Sequence, residues 1–285
     1  MKSIRELQCG TVLGMVISLF FQGVPMADAS PVRVDDSDSL IATISAGKTK
    51  VVDLTQTLSD KTPTYEGKPD FKYETLTTVE KEGYATGAFH THEHCGTHID
   101  APSHFVSGKR TIDRLEPANL ILPAVVIDVR FEVNKDPDYT LTLDRVKAWE
   151  KSGYIPTGSA VLLLTGWSKR YQDASHYRNA DTKGAMHFPG FSLEAAKYLV
   201  ENHRVKALGI DTLSADCGTS EDFLVHSYAL KQDLFLIENL TNLDALPARG
   251  ALLFCGPLKI EGGTGSPARV MAIVPLAQIN SVNKK

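Results

Sequence analysis

The chain has 285 residues, 42% of them hydrophobic and 22% charged, with 30 Lys and Arg against 34 Asp and Glu for a net charge of −4. The apolar share excludes a disordered chain. Charges of both signs mixed along the chain, with no basic stripe, exclude a dedicated nucleic-acid binder. The length allows one large domain or two small ones, either able to bury a core without disulfide staples.

Met1 to Ser30 has the pattern of a secretory signal. Lys2 and Arg5 give a positive start, Thr11 to Phe21 is an apolar run too short to span a bilayer, and Ala27-Asp28-Ala29 is a small-x-small cleavage pattern. Cys9 precedes the apolar run, so it is not placed like a lipoprotein cysteine. The expectation is a signal peptide at residues 1–29 and a secreted or periplasmic domain at residues 30–285. No later stretch approaches the ~20 apolar residues of a spanning helix, so no membrane association is expected once the signal is removed. Cys95, Cys217 and Cys255 remain. An odd number in an oxidising compartment leaves at least one free thiol.

In chain order, Val51 to Leu54 predicts a short strand leading into a turn-rich segment from Ser59 to Pro69. Ala88 to His94 alternates, which predicts a strand carrying His90, His92 and His94 on one face. Leu120 to Val129 is an apolar run of strand length. Thr142 to Lys151 has helical spacing, with Leu143, Val146 and Trp149 on one side and Gly153 as its stop. Ala160 to Thr165 predicts a buried strand, and Arg170 to Gly184 a long surface loop. Ser192 is an N-cap for a helix to about Asn202, followed by a strand from Val205 to Ile210. Leu224 to Leu230 is short and helical or irregular. Leu234 to Ile237, Ala251 to Cys255 and Ala268 to Val274 predict strands, with Gly262 to Pro267 as a loop before the last. Strands alternating with a few helices predict an α/β fold with a mixed sheet.

Five of the nine histidines fall between residues 90 and 104. His94, His98, Asp100 and His104 share an eleven-residue window with Gly96, Thr97 and Pro102. Imidazole and carboxylate together suit zinc, manganese or iron. Gly96-Thr97 predicts a turn that brings His94 and His98 toward one point, Asp100 supplies a hard oxygen able to bridge two metals, and Pro102 fixes the backbone before His104. His90 and His92 have no assigned role. Other chemistries are absent. His92-Glu93 lacks the second histidine of a metalloprotease helix, Gly47-Lys48-Thr49 has Ala42 where a P-loop needs glycine, and there is no G-x-S-x-G elbow. Gly262-Gly-Thr-Gly-Ser-Pro267 fails the dinucleotide pattern and is read as a tight loop near the site.

His94-x-Gly96-Thr97-His98-x-Asp100-x-Pro102-x-His104 resembles the H-x-G-T-H-x-D-x-P-x-H signature of the cyclase / kynurenine formamidase-like metal-dependent hydrolases. Val51-Val-Asp-Leu-Thr, Gly209-Ile-Asp-Thr and Glu261-Gly-Gly-x-Gly-x-Pro-x-Arg269 are similar to segments of the same family, so the resemblance covers most of residues 50–275. It implies a single α/β domain with a mixed, barrel-like β-sheet flanked by helices, and a homo-oligomer. In the family's bacterial formamidases two metals are held by the signature ligands and by a later His and Glu twelve residues apart, a spacing that His226 and Glu238 match. The resemblance therefore implies that His94, His98 and Asp100 bind one Zn2+ or Mn2+ ion. Asp100, His226 and Glu238 bind a second, with Asp100 shared, and His104 transfers protons.

A divalent metal lowers the pKa of water from ~15.7 toward ~7 and polarises a carbonyl, and a histidine near its ordinary pKa moves protons both ways. The expected reaction is hydrolysis of a C–N bond in a small-molecule amide, with N-formylkynurenine, cleaved to kynurenine and formate, as the first substrate. The same signature occurs in isatin hydrolases, so opening of a cyclic amide or lactone is the alternative. An exported metal-binding protein without catalysis is an alternative of another class.

Overall fold

The computed structural model describes residues 40–276. The expected signal peptide, its boundary at residue 30 and Cys9 lie outside the described residues. Twelve strands follow in chain order: β1 Thr49–Asp53, β2 Lys72–Thr77, β3 Thr86–His90, β4 His98–Asp100, β5 Ile121–Asp128, β6 Thr140–Leu141, β7 Ala160–Leu164, β8 Gly190–Phe191, β9 Ala207–Ile210, β10 Phe235–Glu238, β11 Arg249–Pro257 and β12 Gly265–Pro275. The α-helices are α1 Leu40–Ser45, α2 Val79–Glu82, α3 Arg130–Val133, α4 Leu143–Glu150, α5 Ala174–Arg178, α6 Leu193–His203 and α7 Leu224–Lys231.

Eight strands form one mixed sheet in the order β1-β12-β11-β5-β7-β9-β10-β4, and β4 also pairs with β12. That last pairing closes seven strands into a ring, the expected mixed, barrel-like α/β sheet. β5, β7, β9 and β10 run parallel, the other pairs antiparallel. Strand alternation sorts the apolar residues onto two faces. Ile99, Leu162, Ile237, Leu253 and Val270 meet inside the ring, in a cluster fed by nearly every strand. Val161, Leu163, Leu208, Ile210 and Leu236 face outward under α4, α6 and α7, with Val146, Leu199 and Val225.

The runs that became β7, β9 and β10 are apolar because both faces of each are covered, every position being buried. Thr142 caps α4 by accepting the Arg145 amide, and Ser192 caps α6 by accepting that of Ala195. Three expectations fail. The strand expected from Ala88 ends at His90, because the Thr91 hydroxyl and the His92 amide donate to Asp70 and turn the chain out of the β2–β3 hairpin. The loop expected to Pro267 ends sooner, because Gly265, Ser266 and Pro267 pair with Asp100, Ile99 and His98 as the start of β12. The surface loop expected from Arg170 contains α5, anchored by Tyr177, which is wholly buried. Cys95, Cys217 and Cys255 are all unpaired.

Candidate metal centre

β4 is only three residues long, yet it sets the centre. Ile99 points into the ring, so His98 and Asp100 point outward on the helix-covered side. Its neighbour β10 runs antiparallel and places Glu238 directly opposite His98. α7 covers the same face and brings His226. The four side chains are buried, with 1% to 4% exposure. His98 Nε2 lies 3.2 Å from Asp100 Oδ1 and 3.4 Å from Glu238 Oε2, while His226 Nε2 lies 3.4 Å from Asp100 Oδ2 and 3.2 Å from Glu238 Oε1.

The turn before β4 brings in the fifth group. Gly96 has φ +65°, a left-handed conformation that favours glycine, and a Cβ there would also push on the tip of Leu58, 2.4 Å away. The turn folds His94 back beside His98, ring centroids 5.2 Å apart, with His94 Nδ1 2.6 Å from Asp100 Oδ1. Pro102 opens a single 3-10 turn ending at His104, whose ring stacks on His94 at 3.9 Å. All six expected site residues thus meet in one place. Asp100 Oδ1 faces His94 and His98, and Oδ2 faces His226, which also meets Glu238. His94, Asp100 and His104 form one set of close ligand-capable atoms, and His98, Asp100 and Glu238 another, with Asp100 in both. His90 and His92 are exposed.

Each inner histidine has one nitrogen held by an outer acceptor. His98 Nδ1–H donates to Gly96 O at 2.9 Å, and His226 Nδ1–H to Asp216 Oδ2 at 2.6 Å. The Thr264 hydroxyl donates to Glu93 Oε2 at 2.6 Å, and so faces His94 Nε2, 3.3 Å away, as an acceptor. Such outer contacts fix ring orientation and tautomer, leaving the other nitrogen turned inward. Glu238 Oε1 accepts the Ala215 amide at 2.8 Å.

The donor set fits a divalent cation. Asp100 Oδ2 is buried without a hydrogen bond, which is costly for a carboxylate oxygen that has no cation to face. Burial opposes the Asp100 charge, but the His98 charge and the close imidazole nitrogens of His226, His94 and His98 hold its carboxyl well below the usual range. Burial and the Asp100 charge oppose ionisation of Glu238, yet hydrogen bonds from His226 and His98 keep it low. In return, although burial works against a charged ring, Asp100 and Glu238 push His98 up to about 10 and His226 well above its ordinary value. Two buried carboxylates that demand positive charge, beside imidazoles with inward-turned nitrogens, have the donor chemistry that suits a divalent cation. His104 differs. Burial holds it down at about 4, so it is neutral at pH 7 rather than near its ordinary pKa.

A cavity of about 280 Å3 opens onto these groups, and Tyr65, Phe105, Leu213 and Phe223 form its apolar wall. Phe105 and Phe223 pack at 5.9 Å, Tyr65 and Phe223 at 6.0 Å, and Phe105 lies 4.9 Å from the His226 ring. No Lys or Arg is among the described lining residues. The sequence reasoning missed Asp216, the Glu93–Thr264 pair and this wall. They join the signature only through tertiary contacts, with no fixed spacing to betray them.

Residues 52–217 match the model of a family described as a putative cyclase. Isatin hydrolase from Roseibium aggregatum is 37% identical over 254 residues, covering 83% of this chain and 96% of that protein. The chain belongs to this cyclase family of hydrolases. Within the family it is also similar to kynurenine formamidase from Bacillus cereus, at 27% identity over 77% of this chain and 95% of that one. The structure of isatin hydrolase A from Ralstonia solanacearum superposes with a TM-score of 0.78 at 36% identity, covering 87% of this chain and all of that one. Membership in a hydrolase family counts against the non-catalytic metal-binding alternative. Among the described residues, no helix is long and apolar enough to cross a membrane.

Proposed function

We propose that the chain is a metal-dependent amidohydrolase that opens a compact cyclic aryl amide of the isatin type. The observation that carries this reading is the cavity, with ligand-capable groups at its floor, aromatic side chains along its wall and no basic residue in its lining. A cavity of about 280 Å3 is at the small end for ligand sites, and its aromatic wall suits a planar ring. N-formylkynurenine, the first substrate expected from the sequence, carries an α-carboxylate, and no Lys or Arg lines the cavity to pair it. The identity to an isatin hydrolase, 37% against 27% to a kynurenine formamidase, supports the cyclic-amide alternative over the formamidase reading.

His94, His98, Asp100, His226 and Glu238 would hold one or two divalent ions, zinc or manganese, with the two Asp100 oxygens facing different histidines. When bound, such an ion supplies a Lewis acid for the amide carbonyl and an acidified water. The aromatic wall orients the ring so that its carbonyl faces the donor cluster. His104, kept neutral by burial, takes the proton released as water adds. Its imidazolium, disfavoured in that setting, then passes the proton to the departing amide nitrogen. Exposed Tyr73, Leu76 and Phe89 on the β2–β3 hairpin support the expected homo-oligomer as part of this reading, and light scattering tests it.

The full chain, loaded with zinc or manganese, is expected to convert isatin to a product heavier by one water. Activity should disappear on chelation and return with metal. No ring opening with either metal would overturn the reading.

A further inference from the structure

Asp216 lies in the segment that follows β9 and is buried, with 3% exposure. Its carboxylate faces three donors, all from the first turn of α7. Oδ1 accepts the Val225 amide at 2.8 Å, and Oδ2 accepts the His226 amide at 3.0 Å and His226 Nδ1–H at 2.6 Å. The preceding residue, Ala215, donates its amide to Glu238 Oε1 at 2.8 Å. One dipeptide therefore grips both groups that reach the cluster from outside the histidine-rich segment.

We propose that Asp216 is a positioning residue that sets the tautomer and ring direction of His226, and through it the metal affinity of the centre. This rests on the reading of His226 as a metal ligand. Asp216 is itself neither a cavity-lining residue nor a member of the close sets of ligand-capable groups, and it reaches the cluster through His226, so it acts at one remove. With Nδ1 committed as a donor, the Nε2 lone pair is the one presented toward Asp100 and Glu238. The two backbone amides fix the carboxylate, so the ring cannot swing without breaking the contacts that also start α7. Both oxygens accept. An Asn here turns its NH2 group toward a donor, and an Ala leaves all three donors without this partner.

The test measures zinc affinity of the full chain by competition with a chromophoric chelator, for wild type, Asp216→Asn, Asp216→Ala, His226→Ala and the Asp216→Asn/His226→Ala double variant. The ring nitrogens of His226 are read by 15N NMR on the zinc-loaded protein. Outer contacts of this kind typically alter metal affinity by about 10–100-fold. Asp216→Asn should weaken zinc binding by about tenfold, and the penalty should vanish when His226 is already Ala. In wild type, Nδ1 should carry the proton and Nε2 the metal. Zinc affinity of Asp216→Asn within twofold of wild type would overturn the proposal. So would an equal penalty without His226, since Asp216 would then act on the fold at large. Unchanged zinc binding by His226→Ala would overturn the ligand reading itself, and this inference with it. If Asp216→Ala does not fold, the Asn variant and the NMR signature still decide.

Discussion

Gly265 packs its backbone against the His94 ring: a Cβ at that position would stand 2.5 Å from His94 Cε1 and 2.8 Å from Ile99 O. The His94 ring can rotate away, but the Ile99 carbonyl belongs to the β4–β12 ladder and cannot. Gly265→Ala should therefore cost about 1–3 kcal/mol of stability and weaken metal binding by tenfold or more. Urea denaturation and a metal titration would check both. Wild-type values in the two assays would mean that this close approach does not hold His94 in place.

His104→Ala should retain most of the metal and lose turnover by about 10²–10⁴-fold, the usual worth of a positioned proton-transfer group. Elemental analysis beside kcat separates the two effects. The set formed by His94, Asp100 and His104 gives this experiment its edge. Loss of metal from the variant would make His104 a ligand instead.

The Thr97 hydroxyl accepts the Gln56 amide at 2.9 Å and donates to Asn239 O at 2.7 Å. Thr97→Val keeps the shape and removes both bonds, leaving a buried carbonyl without its donor. A loss of about 2 kcal/mol is expected by denaturant titration, with no change in metal stoichiometry, because Thr97 tethers the turn from outside the donor cluster.

Phe105→Ala removes one side of the aromatic wall. KM for an aryl amide should rise by about tenfold with kcat little changed, since the ring is bound alike in ground and transition states. Steady-state kinetics reads this. A fall in kcat at constant KM would give Phe105 a part in the reacting geometry.

Much of this architecture was legible in the sequence, for physical reasons that also mark where legibility stops. Strands β7, β9 and β10 are apolar runs because both of their faces are covered, so composition alone announces them. The donor cluster was legible because His94, His98, Asp100 and His104 are local in sequence, while His226 and Glu238 were legible only through the family resemblance, whose spacing one helix and one strand keep here. β4 was not legible. Three residues carry no pattern, and the strand exists because β10 and β12 hold it from both sides. Gly265 to Pro267 has the composition of a loop but is a strand for the same reason. Asp216 carries no signal at all, since its link to His226 is made by the packing of α7.

The most direct test of the central claim is a comparison of kcat/KM for isatin and for N-formylkynurenine on the same metal-loaded protein. The account predicts that isatin is preferred by at least tenfold and that chelation abolishes both activities. A preference for N-formylkynurenine, or isatin turnover that survives full removal of metal, would contradict it.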